Sequence, residues 1–155
     1  MKTSKTTIIN APTNIVFLWL EDNERIKQWV PNLIEDEALV ETQEKTGSTF
    51  RQVFLERGKR MEMIGEITDY TENERMRVFM SGDMFNLDVD YNLKALKPEQ
   101  TEVTQDTEIK MKGAAKLFAP LMLLMSKLSK SNLQAEAHAK LKEMAEAEYQ
   151  SSSRD

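Results

Sequence analysis

From Phe85 to Leu93 apolar and polar side chains alternate without a fault. Phe85, Leu87, Val89, Tyr91 and Leu93 fall on one face, and Asn86, Asp88, Asp90 and Asn92 on the other. A period of two predicts a strand with one dry face and one wet face. Further strand-like segments, with less regular alternation, are Lys5 to Ile9, Ala38 to Thr42, Ser48 to Glu56, Lys59 to Tyr70, Arg75 to Ser81 and Thr101 to Met111. Turn residues separate most of them: Glu44-Lys45-Thr46-Gly47, Arg57-Gly58, Glu72-Asn73, Gly82-Asp83 and Lys97-Pro98-Glu99. Strands joined by such short turns form an antiparallel meander.

Helical spacing frames this block. Asn10 is placed to cap a first helix, with Pro12 in its first turn, where a missing N–H costs nothing. Ile15, Val16, Trp19 and Leu20 form its apolar stripe, and a second short helix, about Asn23 to Trp29, stops before Pro31. The last long segment, about Gly113 to Tyr149, carries Leu117, Leu121, Leu124 and Leu128 on one stripe, widened by Phe118, Met122 and Met125. Pro120 predicts a kink or a late helix start there. Further along, the apolar positions drift to Leu133, Ala137, Leu141 and Met144. The order is therefore strand, two short helices, about six antiparallel strands and one long helix. That is an α+β arrangement with the helices gathered on one face of a curved sheet. A straight helix on a curved sheet leaves space between them, filled either by side chains or by an apolar guest.

Composition narrows the possible functions. The chain has 155 residues, enough for one domain, and a domain of this length buries roughly 70% of its unfolded surface without staples. No linker or repeat divides residues 1–150, and 151–155 are expected to form a disordered tail. Cys is 0, which excludes disulfides, thiol chemistry and Cys-based metal sites and suits a reducing cytosol. With one histidine, His138, a multi-His metal site is excluded too. Lys+Arg 21 against Asp+Glu 26 gives a net charge of −5, which argues against a nucleic-acid partner. The N-terminus lacks the apolar core of a signal peptide, and no apolar run is long enough to cross a bilayer. The expected location is the cytoplasm.

The order and spacing of several short motifs resemble the START-like (SRPBCC) superfamily. They are Asn10-Ala11-Pro12 through Val16-Phe17, Asp22-Asn23-Glu24, Trp29-Val30-Pro31-Asn32, Gly47 opening a strand, Thr101-Glu102-Val103-Thr104 in the last strand, and Leu141-Lys142 in the closing helix. The resemblance covers about residues 3 to 148. It implies the helix-grip fold: a curved antiparallel sheet of about 6–7 strands around a long C-terminal helix, with two short helices after the first strand. The superfamily holds bacterial polyketide cyclase/dehydrase-like proteins, birch-pollen-allergen-like plant proteins, lipid-transfer domains and chaperone activators, so fold alone does not fix function.

The residues expected to line a cavity follow from these faces. Met61, Met63 and Met80 lie on strands and Met122 and Met125 on the long helix; flexible thioethers suit a wall that adapts to its guest, or equally an irregular core. If Val103, Ile109 and Met111 point inward, Gln105 and Thr107 do so too. Gln52 shares a face with Phe50 and Phe54, although Arg51, Val53 and Leu55 are the alternative inward set. Tyr91 shares a face with Leu87 and Val89. An unpartnered buried amide costs about 1–3 kcal/mol, so such groups either pair with one another or hold a guest's head group. Trp29, Phe85, Phe118 and Leu121 complete the expected lining.

Other polar residues read as structural. Asp88 and Asp90 alternate with the apolar set and face water, and Asp106 offers no catalytic pair with them. His138, among Glu136, Lys140 and alanines, reads as a surface histidine. Arg51, Arg57, Lys59 and Arg60 form a solvated basic hairpin, or meet a carboxylate at a pocket mouth. No catalytic constellation, metal site or cofactor motif is identifiable.

The leading expectation is binding or transport of an apolar or amphipathic small molecule, lipid-like or polyketide/aromatic-like, between the sheet and the C-terminal helix. The alternatives are a polyketide cyclase/dehydrase-like enzyme and, behind it, a protein-interaction module of the chaperone-activator type. The expected partner is a hydrophobic ligand, with the chain a monomer or weak homodimer.

Overall fold

The computed structural model describes residues 1–113 and 133–153. Seven antiparallel strands form one sheet: β1 (Lys2–Ile9), β2 (Leu33–Val40), β3 (Thr49–Glu56), β4 (Lys59–Thr71), β5 (Arg75–Ser81), β6 (Phe85–Lys97) and β7 (Gln100–Met111). Their order is β1-β7-β6-β5-β4-β3-β2, so the meander runs in sequence order from β2 to β7 and the first strand closes onto the last. Register shifts between Leu33 and Glu35, between Ala38 and Val40, and between Ile67 and Asp69 bend the sheet, because a bulge inserts one unpaired residue and increases twist.

Two helices, α1 (Thr13–Glu21) and α2 (Asn23–Trp29), follow β1. Asn10 does not cap α1. The helix begins at Thr13 behind Pro12, whose carbonyl accepts from Ile15 and Val16. Asn10 is occupied elsewhere, its N–H donating to Glu146 and its side-chain oxygen accepting from Gln100. Asp22 does cap α2, accepting from the Arg25 N–H at 3.0 Å. Nearby, the Thr101 hydroxyl donates to the Ala11 carbonyl at 2.7 Å in the core, which fixes the path between β1 and α1.

The described part of the C-terminal helix, α3 (Leu133–Ser153), buries Ala137, His138, Leu141 and Ala145. It lies against β1, α1 and α2. Arg25 of α2 pairs with Glu148 at 2.9 Å, and Tyr149 donates to Glu99 at 2.7 Å. The serines expected to fray instead extend the helix: the Ser152 and Ser153 hydroxyls donate back to the Tyr149 and Gln150 carbonyls, closing the last turn. Phe17, Ile9, Leu20, Met63, Leu141, Val16 and Val103 are the most deeply buried apolar side chains. None of the described helices is long and apolar enough to cross a membrane.

Candidate functional site

The inward faces of the strands and the helix pair enclose a cavity of about 280 Å³. Its apolar wall is assembled by cross-strand register. Val89 stands opposite Val78, Leu87 opposite Met80, Tyr91 opposite Met76, and Ile67 opposite Val78 on the next strand. Phe50 and Phe54 from β3, and Leu20, Ile26 and Val30 from α1 and α2, complete it. The uncertain face of β3 is thus resolved: Phe50, Gln52 and Phe54 turn inward. Arg51 on the opposite face pairs with Glu35, Glu37 and Glu62.

Gly65 makes room for this wall. It pairs with Phe50, and a Cβ there would lie 2.2 Å from the Phe50 ring. Only glycine lets the ring lie flat over the neighbouring strand.

Three groups among the polar side chains that line the cavity bear on its chemistry. The first is Asp36 with Gln52, its partner in register, whose Nε2 donates to Oδ1 across a long 3.4 Å. Burial pushes the Asp36 carboxyl up to about 6, helped by the negative charges of Glu24 and Asp22, while Gln52 and Lys27 oppose the shift. The second is Tyr70, whose hydroxyl donates to Glu21 at 2.6 Å and whose ring meets Phe17 edge-on at 5.5 Å. Desolvation and the adjacent carboxylate keep that phenol protonated. Tyr70 faces inward because the register shift at Thr68 breaks the alternation of β4.

The third group is Gln105 with Thr107 on β7, and it rests on the histidine. His138 is buried, not on the surface. Its Nδ1 lies 2.8 Å from the Thr7 hydroxyl and its Nε2 2.8 Å from Gln105 Oε1. A carbonyl oxygen only accepts, so Nε2 carries the proton and Nδ1 accepts from Thr7. Burial, with the nearby positive charge of Lys5, lowers the imidazole to about 4, so the ring is neutral at physiological pH. The Gln105 amide nitrogen is thereby turned to the Thr107 hydroxyl, 3.3 Å away.

Of the residues expected in the lining, Gln52, Met80, Leu87, Tyr91, Gln105 and Thr107 come together here. Trp29 does not reach the wall. It packs edge-to-face on Tyr91 at 6.3 Å, and its Nε1 donates to the Trp19 carbonyl at 2.7 Å. Met61 and Phe85 sit toward the strand turns, half-buried against the core, and Met63 is buried beside Gly82. Phe118, Leu121, Met122 and Met125 lie outside the described residues, and no described residue of α3 lines the cavity. Asp36, Glu21 and Tyr70 were missed. The signal for Asp36 was its spacing of two from Ala38 and Val40, which also line the wall.

On the wet face, Arg75 pairs with Asp90 and Asp69, and Arg77 with Asp88. Arg60 pairs with Glu35. None of these groups faces the cavity. Among the described residues no cluster of three or more His, Asp or Glu side chains is placed to hold a metal ion.

No protein-family model matches the sequence, and no curated protein matches it. Solved structures do match in shape. The Zhui aromatase/cyclase from Streptomyces sp. R1128 superposes with a TM-score of 0.76 at 14% identity, covering 94% of this chain and 93% of its own. A START superfamily protein from Mycobacterium smegmatis gives 0.72 at 18% identity, with 92% and 98% covered. A conserved protein from Geobacillus kaustophilus gives 0.72 at 15% identity, with 94% and 95% covered. At such identities the likeness establishes the fold and not the activity. The seven-stranded curved sheet, the helix pair after β1 and the C-terminal helix give this chain the helix-grip fold, the fold it shares with that START superfamily protein.

Proposed function

We propose that the chain binds an apolar or amphipathic small molecule in the cavity between the sheet and the helices. The observation that carries this reading is the wall itself: aliphatic, aromatic and thioether side chains around about 280 Å³, with Gln52, Tyr91, Gln105 and Thr107 turned into it. Binding would remove the guest's apolar surface from water, worth about 25 cal/mol per Å², while the few polar groups fix its orientation. Native mass spectrometry of the purified, undelipidated protein tests this. An extra mass that vanishes on denaturation supports it. A clean apo mass, together with no uptake of the neutral dye N-phenyl-1-naphthylamine, overturns it.

A second reading, cyclase-like catalysis, is supported by Asp36. A carboxyl raised to about 6 in a cavity wall suits proton transfer near neutral pH, and the Tyr70–Glu21 pair lines the same cavity. Turnover of an aromatic polyketide-like substrate, lost in Asp36→Asn with binding retained, would favour it over carriage.

A further inference from the structure

We propose that the guest of this cavity carries a protonated amine, held by Asp36, and that anionic amphiphiles such as fatty carboxylates are excluded. The inference rests on the binding reading above and adds the charge of the ligand.

The two faces of β2 differ in how their acids are compensated. Glu35 and Glu37, turned outward, are met by Arg51 and Arg60. Asp36, turned inward, has only the long Gln52 contact, and no cation among the described residues pairs with it. An ionised carboxylate has about four acceptor sites. A half-buried one left this poorly satisfied is costly unless something cationic or donating arrives.

The surroundings favour a cation over a neutral donor. The wall groups that carry a charge at neutral pH are Glu21, Asp36, Glu41 and Lys45, three carboxylates against one ammonium. Glu41 and Lys45 are both exposed and offset each other, and Glu21 already accepts from Tyr70, which leaves Asp36 as the half-buried carboxylate without a cation. Phe50 and Phe54 flank Gln52 at a spacing of two on the same inward face, so aromatic rings border the place an ammonium would take. Further in, the Tyr91 hydroxyl is on a side chain only 7% exposed and has no hydrogen-bond partner among the described residues. Tyr91 lines the same cavity as Asp36. A carboxylate guest would bring a second negative charge beside Asp36.

The test uses three probes of equal chain length, octylamine, octanol and octanoate, in displacement of N-phenyl-1-naphthylamine from the full chain. At pH 7.5 octylamine should displace the dye at about tenfold lower concentration than octanol, the scale of a charge-assisted hydrogen bond, and octanoate should be weakest. In Asp36→Asn, which keeps an acceptor for Gln52, the ratio of octylamine to octanol affinity should fall to about one. At pH 5.0 the preference should also shrink, because Asp36 becomes protonated. The charged groups that act on it are Lys27, Glu24 and Asp22 of the α2 segment, while β3 presents only the neutral Gln52. Octanol equal to octylamine in the wild type overturns the proposal and leaves the binding reading standing. Persistence of the amine preference in Asp36→Asn overturns the role of Asp36. Failure of the dye and all three probes to bind overturns both readings.

Discussion

His138 Nε2 donates to Gln105 Oε1 at 2.8 Å, so the chain's one histidine ties the C-terminal helix to a cavity-lining amide. With the ring lowered to about 4 from an ordinary 6.5, the unfolded chain binds a proton that the folded chain refuses. Stability then rises with pH across this interval and is lost as pH falls from about 6.5 toward 4. The contribution is on the order of 3 kcal/mol. In urea unfolding between pH 4 and 7, the stability difference between wild type and His138→Gln should shift against the wild type as pH falls from about 6.5 toward 4. ¹⁵N NMR of the ring should find the neutral Nε2–H tautomer at pH 6; an imidazolium there would refute the assignment.

Asp36 contributes with the opposite sign. Its folded carboxyl sits near 6, above the ordinary 3.8, so the folded state holds the proton more tightly. Stability is therefore favoured at low pH and lost as pH rises through 6. Asp36→Asn should stabilise the protein at pH 7.5 by on the order of 2 kcal/mol and leave it nearly unchanged at pH 4. Chemical denaturation at the two pH values measures this, and a destabilised mutant at pH 7.5 would show that the carboxylate is satisfied by a partner in solution.

The fold was legible because its strongest elements obey one period. Arg75–Ser81 and Asn23–Trp29 have the bounds their patterns predicted, and the unbroken alternation of β6 and β7 placed Tyr91, Gln105 and Thr107 inward. What was lost was lost at a strand end and at an irregularity. Asp36 was lost because the strand was read from Ala38 onward, leaving the acidic run Glu35-Asp36-Glu37 outside it, and the bulge at Thr68 hid Tyr70. His138 failed for a different reason. It lies three and seven residues before Leu141 and Ala145, on the buried stripe of α3, but its polarity outweighed its position in the reading. A polar side chain at a buried helical position needs partners, and here they come from β1 and β7, more than thirty residues away in sequence.

Gly65 is a steric requirement and not a turn. Gly65→Ala would drive a Cβ to within 2.2 Å of Phe50 and push that ring out of the cavity wall. Overpacking of this kind costs about 1–3 kcal/mol. Phe50→Leu in the Gly65→Ala background should recover part of the loss, because the shorter side chain clears the methyl group. A thermal-denaturation double-mutant cycle checks the coupling; additive effects would mean that the two residues do not meet.

Trp29 and Tyr91 touch edge-to-face, yet the same kind of substitution should separate their roles. Trp29→Phe removes the buried Nε1–H that donates to the Trp19 carbonyl, and it leaves a void where the larger ring packed. A cost of about 1–3 kcal/mol follows from the lost bond alone. Tyr91→Phe removes only a hydroxyl that has no partner among the described residues and faces the cavity. Its effect on stability should stay within about 0.5 kcal/mol, the range of substitutions that break no interaction. Urea titration of both variants decides the matter. A large loss in Tyr91→Phe would mean that the hydroxyl anchors the fold, and the cavity would then lose one of its polar contacts for a guest.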